Sequence, residues 1–368
     1  MTDAGVAINP DSAMRVTAVY DCVMVIAETL AQLPFILYER EGENKKRAVN
    51  ERLYSLLHDM PNDFQTSFDY RLNKTMQILL HGVGYSFINR SSNGDVLELL
   101  PMRSNKVEFK QNKDFSLSYV FTDVDNNKIP LRQDQVFRIL GSTLDGITPM
   151  SPIEMHRQTI GIASAADKHA ALMFKNGGKM SGVLQNDGHF SSDEVAKRVK
   201  ESWDESTSGA NANKTALLED GLKWQQVSMS NRDAQYIESR KFQKEDIASI
   251  FRVPPHKIGI LDRATNNNIE QQGLEFVTDT MMPWNVRWEQ SIARDLLGRD
   301  KAKRFYAELL VDGLMRGDSA ARSAFYQSAV GGPWMTINEA RKAENRDPVK
   351  GGDELIRPPN PSQGESQQ

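Results

Sequence analysis

Lys257, Arg263 and the run Asn266, Asn267 and Asn268 fall within "IFRVPPHKIGILDRATNNNIEQQG", residues 250–273, a polar stretch between two helical patterns. Lysine and arginine attract a polyanion, and asparagine amides offer exchangeable hydrogen bonds to phosphate or water. Nothing in this stretch reads base edges from a groove-bound helix. The chemistry such residues can do is contact with a nucleic acid that is touched and not gripped. A solvated loop that caps the helix beginning near Ile269 fits the same residues, so both readings stand.

Other chemistry is weakly supported. "KNGGKMSG" contains Gly-Gly-Lys, but a phosphate-cradling loop needs a further glycine upstream and Ser or Thr after the lysine, and Met173 and Met180 stand at those places. The stretch from Asp123 to Asp134 spaces acids like a calcium loop. Lys128 occupies its sharp-turn position and Asp134 its closing position, so it reads as a solvated hairpin turn. The six histidines show no His-x-x-x-His step and no cysteine companions, so neither metal nor cofactor is expected. Cys22 lies in a helical pattern beside Val19, Val23 and Ile26, where a buried, inert thiol is the expectation. With no nucleophile elbow and no dinucleotide fingerprint, no catalytic residue is assigned.

The elements that must position the polar stretch are legible in the periodicities. Residues 11–31 place Val16, Tyr20, Val23, Ala27 and Leu30 on one helical face, ended by Pro34. "FILYER" reads as a strand, and helices follow near 50–59 and 66–81. The second of these carries Phe68, Leu72, Met76 and Leu79 on one face and stops at Gly82. From Tyr85 to Leu140 short β-runs alternate with turn clusters, among them the "SSNGD" hairpin at Ser91 to Asp95. A long helix is expected over 152–177, with the small side chains Gly161, Ala165 and Ala166 permitting close helix approach. A compact unit over 179–229 contains the strand "SGVLQ", a helix opened by Ser191 or Ser192, and a hairpin turning at Asp220 and Gly221. A second helix over 232–253 returns from it. The longest helix starts at Ile269, and Pro283 within it predicts a kink near Thr280 to Trp284. A strand "KRFYAELLV", two short helices near 318–330 and 336–345, and a disordered Pro- and Ser-rich tail complete an α+β chain.

Bulk numbers agree with a globular protein that does not hold nucleic acid tightly. The chain has 368 residues and a net charge of −4, from 45 basic and 49 acidic side chains. Its longest apolar stretch is broken by Asp21, Glu28 and Gln32, so no membrane span is expected and the cytosol is the expected compartment. Trp203, Trp224, Trp284 and Trp288 are candidate anchors of a protein interface, with burial in the core as the competing reading.

Four segments together carry a family likeness: "GSTLDGITPMSPI", "KNGGKMSGVL", the run from "WDESTSGANANK" to "FRVPPHKIGI", and "GPWMTINEARKAENRDPVKGGDEL". In order and spacing they resemble the portal proteins of tailed bacteriophages, HK97 type, over about residues 12–357. The resemblance implies a ring of about twelve copies at one capsid vertex, through which terminase drives double-stranded DNA inward and through which it later leaves. It also implies contacts with the terminase large subunit, the major capsid protein and scaffold, and the head-tail connector. By resemblance, residues 1–150 and 254–312 are the wing and the helices of 151–178 and 230–253 the stem. Residues 179–229 are then the clip and 313–357 the crown, followed by the tail 358–368. Lys257 to Asn268 becomes the tunnel loop that narrows the channel, and Trp203 and Trp224 become terminase-facing candidates. A metal-dependent nucleic-acid enzyme and a generic interaction scaffold are the alternatives.

Overall fold

Helix boundaries follow local capping chemistry in the computed structural model. It describes residues 1–42, 44–175, 182–185, 192–207, 222–226, 230–261, 266–311, 319–332, 334–343 and 346–356, some of them by backbone alone. The chain divides into two units, 1–309 and 310–368.

In the larger unit the N-terminal helix expected over 11–31 is two helices, α1 (Pro10–Ala13) and α2 (Thr17–Ala31). Asn9 and Ser12 form a reciprocal capping box that starts the first, and Val16, in extended conformation, separates them. Strands β1 (Phe35–Glu41) and β2 (Asn44–Arg47) and helices α3 (Arg52–His58) and α4 (Ser67–His81) follow. Thr66 accepts from the Asp69 N–H to open α4, and Gly82, at φ 80°, closes it in the left-handed region. A Cβ at Gly82 would lie 2.4 Å from the Met150 carbonyl oxygen, which adds a steric reason for glycine there.

Then come β3 (Val83–Arg90), β4 (Val96–Met102), β5 (Val107–Gln111), β6 (Leu117–Thr122), β7 (Lys128–Arg132) and β8 (Val136–Leu140). They form two antiparallel sheets, ordered β4-β3-β8 and β5-β6-β7. The Asp123 carboxylate takes the N–H groups of Asp125 and Asn127 at 2.9 and 2.8 Å, which makes the first half of the calcium-loop lookalike a turn. Its second half is β7, a strand that the turn reading did not anticipate. Pro130 is tolerated because β7 is an edge strand.

The helix expected over 152–177 is broken at His156 (φ −108°, ψ 23°) into α5 (Pro152–Met155) and α6 (Arg157–Lys175). Strand β9 (Gly182–Gln185) pairs antiparallel with β10 (Lys223–Gln226), with α7 (Asp193–Thr207) between them in the chain. The expected turn at Asp220 and Gly221 lies outside the described residues. Helix α8 (Ser230–Phe251) packs against α6, and Arg240 meets Asp167 at 2.5 Å.

The last long helix is a series: α9 (Asn266–Glu275), a π-helical segment Phe276–Met281, α10 (Met282–Ile292), a second π segment Ala293–Leu297, and α11 (Gly298–Arg304). It leads into β11 (Phe305–Leu309), which completes the antiparallel sheet β11-β1-β2. The smaller unit holds α12 (Ser319–Gly331) and α13 (Ile337–Ala343). Thr336 and Glu339 make the expected capping box, the Thr336 N–H reaching the Glu339 carboxylate at 2.8 Å and the Glu339 N–H reaching Thr336 Oγ1 at 3.1 Å. The Asn338 amide donates to the Val349 carbonyl and Asp353, and its oxygen accepts the Val349 N–H, folding the segment after α13 back on the helix.

The buried face of α4 is rotated from the expected one. Tyr70, Arg71, Lys74, Thr75, Ile78 and Leu79 are buried, while Phe68 is 40% exposed. Two cations take part because backbone carbonyls receive them. Arg71 donates to Ala31 O at 2.8 and 3.1 Å and to Leu57 O at 3.0 Å, satisfying carbonyls at the ends of α2 and α3. Lys74 donates to the carbonyls of Tyr85 and Met102. Burial pulls Arg71 down to about 10 and Lys74 down to about 7.

An unfolded lysine titrates near 10.5, so between about 7 and 10.5 the unfolded chain holds a proton that the folded chain has shed. Stability therefore rises with pH across that window, and the cost of Lys74 is complete below about 7. Lys74→Met is expected to flatten the rise in Tm between neutral and alkaline pH relative to the unaltered protein. Parallel melting curves at every pH would refute this origin.

Candidate functional site

Helix α8 ends because Val253-Pro254-Pro255 cannot extend it. The chain turns at Arg252, a non-glycine residue at φ 56°, and the Arg252 carbonyl accepts from Thr280 Oγ1 at 2.8 Å. A 3₁₀ turn, Pro255–Ile258, ends on Gly259 at φ 81°. His256 Nδ1 lies 2.9 Å from Gln272 Oε1 on α9, and the Lys257 ammonium sits 5.0 Å over the Phe276 ring. The turn is thus fastened to the helix that follows it at three points, His256, Lys257 and Arg252. Beside it lies an open recess of about 780 Å³ bounded by Arg252, Pro254, Pro255, Phe276, Thr280 and Pro283.

Proline has no N–H, and its ring clashes with the carbonyl four residues earlier in a regular helix. The π segment Phe276–Met281 directly before α10 widens the helix there and leaves Pro283 in the first turn of α10. The irregularity overlaps the span where the sequence places the kink, Thr280 to Trp284, at Thr280 and Met281. It also buries the Thr280 side chain toward Arg252. Arg287 stacks 5.1 Å over Trp284, and burial, with the positive charge of Arg252 second, lowers its pKa.

Of the sequence candidates, Lys257 is exposed and bonded to Phe276 through its charge. Asn266, Asn267 and Asn268 are the first residues of α9, so the helix expected from Ile269 starts earlier. Their side chains and the whole of Arg263 lie outside the described residues. Trp288 is an internal core residue, 1% exposed, with ring centres of Phe35, Phe137 and Tyr70 at 5.8, 6.3 and 6.4 Å. Trp284 is 8% exposed, so these two are not free interface anchors in the single chain. Trp203 is half-buried on α7, and Trp224 lies in β10 opposite Leu184.

On α6, Ala165 and Ala166 are half-buried. A Cβ at Gly161 would meet Thr2 Cγ2 at 2.7 Å, so the missing side chain makes room for the chain's own N-terminal segment and not for another helix. Sequence reasoning missed Arg252 and Thr280. A left-handed arginine leaves no compositional mark, and a hydroxyl inside a helical pattern does not announce a distant carbonyl. No cluster of His, Cys, Asp and Glu among the described residues could hold a metal, and no helix among them is long and apolar enough to cross a membrane. Burial raises the Cys22 thiol to about 12, which makes it inert.

Residues 17–345 match the family model described as phage portal protein. The portal protein of Enterobacteria phage HK97 is 32% identical over 95% of this chain and 83% of its own length. Two solved structures share the fold. The neck of an empty gene transfer agent (GTA) particle, computed with C6 symmetry, has a TM-score of 0.67 at 24% identity and covers 94% of this chain and 95% of the other. The neck of a native GTA particle, computed with C12 symmetry, has a TM-score of 0.63 at 23% identity, covering 92% and 94%.

Thr280→Val keeps the shape and removes the donor to Arg252. A loss of ~1 kcal/mol is expected in denaturant unfolding, because the carbonyl then depends on solvent alone. An unchanged midpoint would show that the bond contributes nothing net.

Proposed function

The chain belongs to the phage portal protein family, and on that premise we propose that its copies close into a ring that conducts double-stranded DNA at one vertex of a phage capsid. Portal proteins are structural and non-catalytic. The observation that carries the reading is the match running in order along residues 17–345. The rotational symmetry used for the two GTA necks supports a closed ring, in which each subunit presents two different faces to its neighbours. A ring of about twelve copies is the closest reading.

In this ring α6 and α8 are stem helices, the β9-α7-β10 unit is the clip that meets the terminase large subunit and then the head-tail connector, and 313–357 is the crown. The wing, formed by 1–150 and 254–312, meets the major capsid protein and scaffold. Genome packaging and ejection use the same channel, and the ring resides in the virion. Its lining is the segment from Lys257 through Asn268. A channel that moves a polyanion must confine it without binding it, because every phosphate contact by lysine or arginine adds salt-dependent affinity and so drag. The net charge of −4 and the occupation of Lys257 by the Phe276 ring keep that affinity low.

Negative-stain images of the purified chain are expected to show rings with a central hole, and native mass spectra a single closed stoichiometry. Persistent monomers under assembly conditions would overturn the ring and favour an interaction scaffold. Alanine at Arg263 and Asn266 to Asn268 together is expected to leave rings intact while lowering packaged DNA. Packaged genome length equal to that of the unaltered phage would remove the segment from the channel.

A further inference from the structure

The sheet β11-β1-β2 leaves β2 as an open edge, and its register shows what that edge offers. Tyr38 lies opposite both Arg47 and Tyr306, and Arg40 lies opposite Lys45. Side chains at alternate positions share a face. Tyr38, Arg40, Lys45, Arg47, Tyr306 and Glu308 therefore lie together on one side. The contacts agree: Lys45 lies 4.5 Å from the Tyr38 ring centre and 2.6 Å from Glu308, and Arg40 lies 4.5 Å over Tyr306. Three cations thus face one carboxylate in a chain whose net charge is −4.

The backbone of the edge is also oriented. The Ala48 N–H donates to Leu37 O at 2.9 Å, which puts Leu37/Ala48, Glu39/Lys46 and Glu41/Asn44 at the hydrogen-bonded positions of the antiparallel pair. The N–H and C=O groups of Lys45 and Arg47 consequently point outward, away from β1. The residues with free main-chain groups are the ones whose side chains carry the charge on the tyrosine face.

We propose that the β2 edge docks an extended acidic segment of another protein, with carboxylates at alternate positions. Added as a fourth strand, such a segment bonds the outward groups of Lys45 and Arg47 and sets its acidic side chains beside theirs, at the spacing of cross-strand neighbours. An incoming carboxylate competes with Glu308 for Lys45. That ion pair is half-exposed and so exchangeable. A peptide fits better than a nucleic acid for two reasons. The edge supplies backbone hydrogen bonds that only another peptide backbone continues, and the tyrosine faces are already covered by Arg40 and Lys45, leaving little for a base to stack on. The inference concerns the wing-like sheet and is independent of the channel reading.

The test uses the full chain and a capped Glu-Val-Glu-Val-Glu-Val-Glu peptide, titrated at low salt by calorimetry. Controls are a peptide of the same composition with all acids grouped at one end, and a duplex oligonucleotide. The alternating peptide is expected to bind, and Lys45→Gln with Arg47→Gln to weaken it about fivefold or more. Lys45→Pro, which removes one outward N–H and suits an edge strand, should weaken it without unfolding the protein. Unaltered melting of the variants shows that the sheet is intact. Equal binding of the grouped peptide, or displacement of the alternating peptide by the duplex, would overturn the proposal. So would absence of binding, which would leave the lysine-rich edge as protection against unwanted strand pairing.

Discussion

A helix that must contain a proline cannot be regular at that point, and much of the larger unit is arranged around this constraint. Pro283 displaces the hydrogen-bond ladder into the π segment Phe276–Met281. The displacement brings Thr280 to Arg252 and Phe276 beneath Lys257, while the turn after it delivers Trp288 among Phe35, Tyr70 and Phe137. One side of the irregular helix therefore fixes the turn after α8, and the other fills the core. The polar stretch between the helices is held by its neighbour and not by its own composition.

Several cations of the larger unit are engaged by backbone dipoles and aromatic rings. Arg71 and Lys74 are spent on main-chain carbonyls, and Arg40, Lys45, Lys257 and Arg287 lie over aromatic faces.

The local signals of the fold were legible in the sequence. The short β-runs of 85–140, the glycine that stops α4, the Thr336 and Glu339 box and an irregularity close to Pro283 all rest on nearest-neighbour chemistry. What was not legible depends on distant groups. The inward face of α4 turns on carbonyls of Ala31 and Leu57, which no spacing within 66–81 reveals. The break at His156 and the separation of α1 from α2 occur in stretches whose composition favours helix. For the candidate site, the position of Lys257 in a turn could be read directly. Its ring partner and the strained Arg252 that shapes the turn could not, because both rest on residues brought together only by the folded helix.

Asp295, in the second π segment, receives the Arg138 N–H at 2.9 Å and the Arg294 guanidinium at 2.6 Å, while its carbonyl accepts from Arg90 at 2.7 Å. Arg294 reaches the Arg138 carbonyl, and the Arg138 side chain reaches the Ile147 carbonyl. Asp295 thereby ties the irregular helix to strands β3 and β8, and Arg138 extends the tie to the turn at Ile147. Shifting the helix at this point therefore means breaking bonds to both strands together and not one contact at a time.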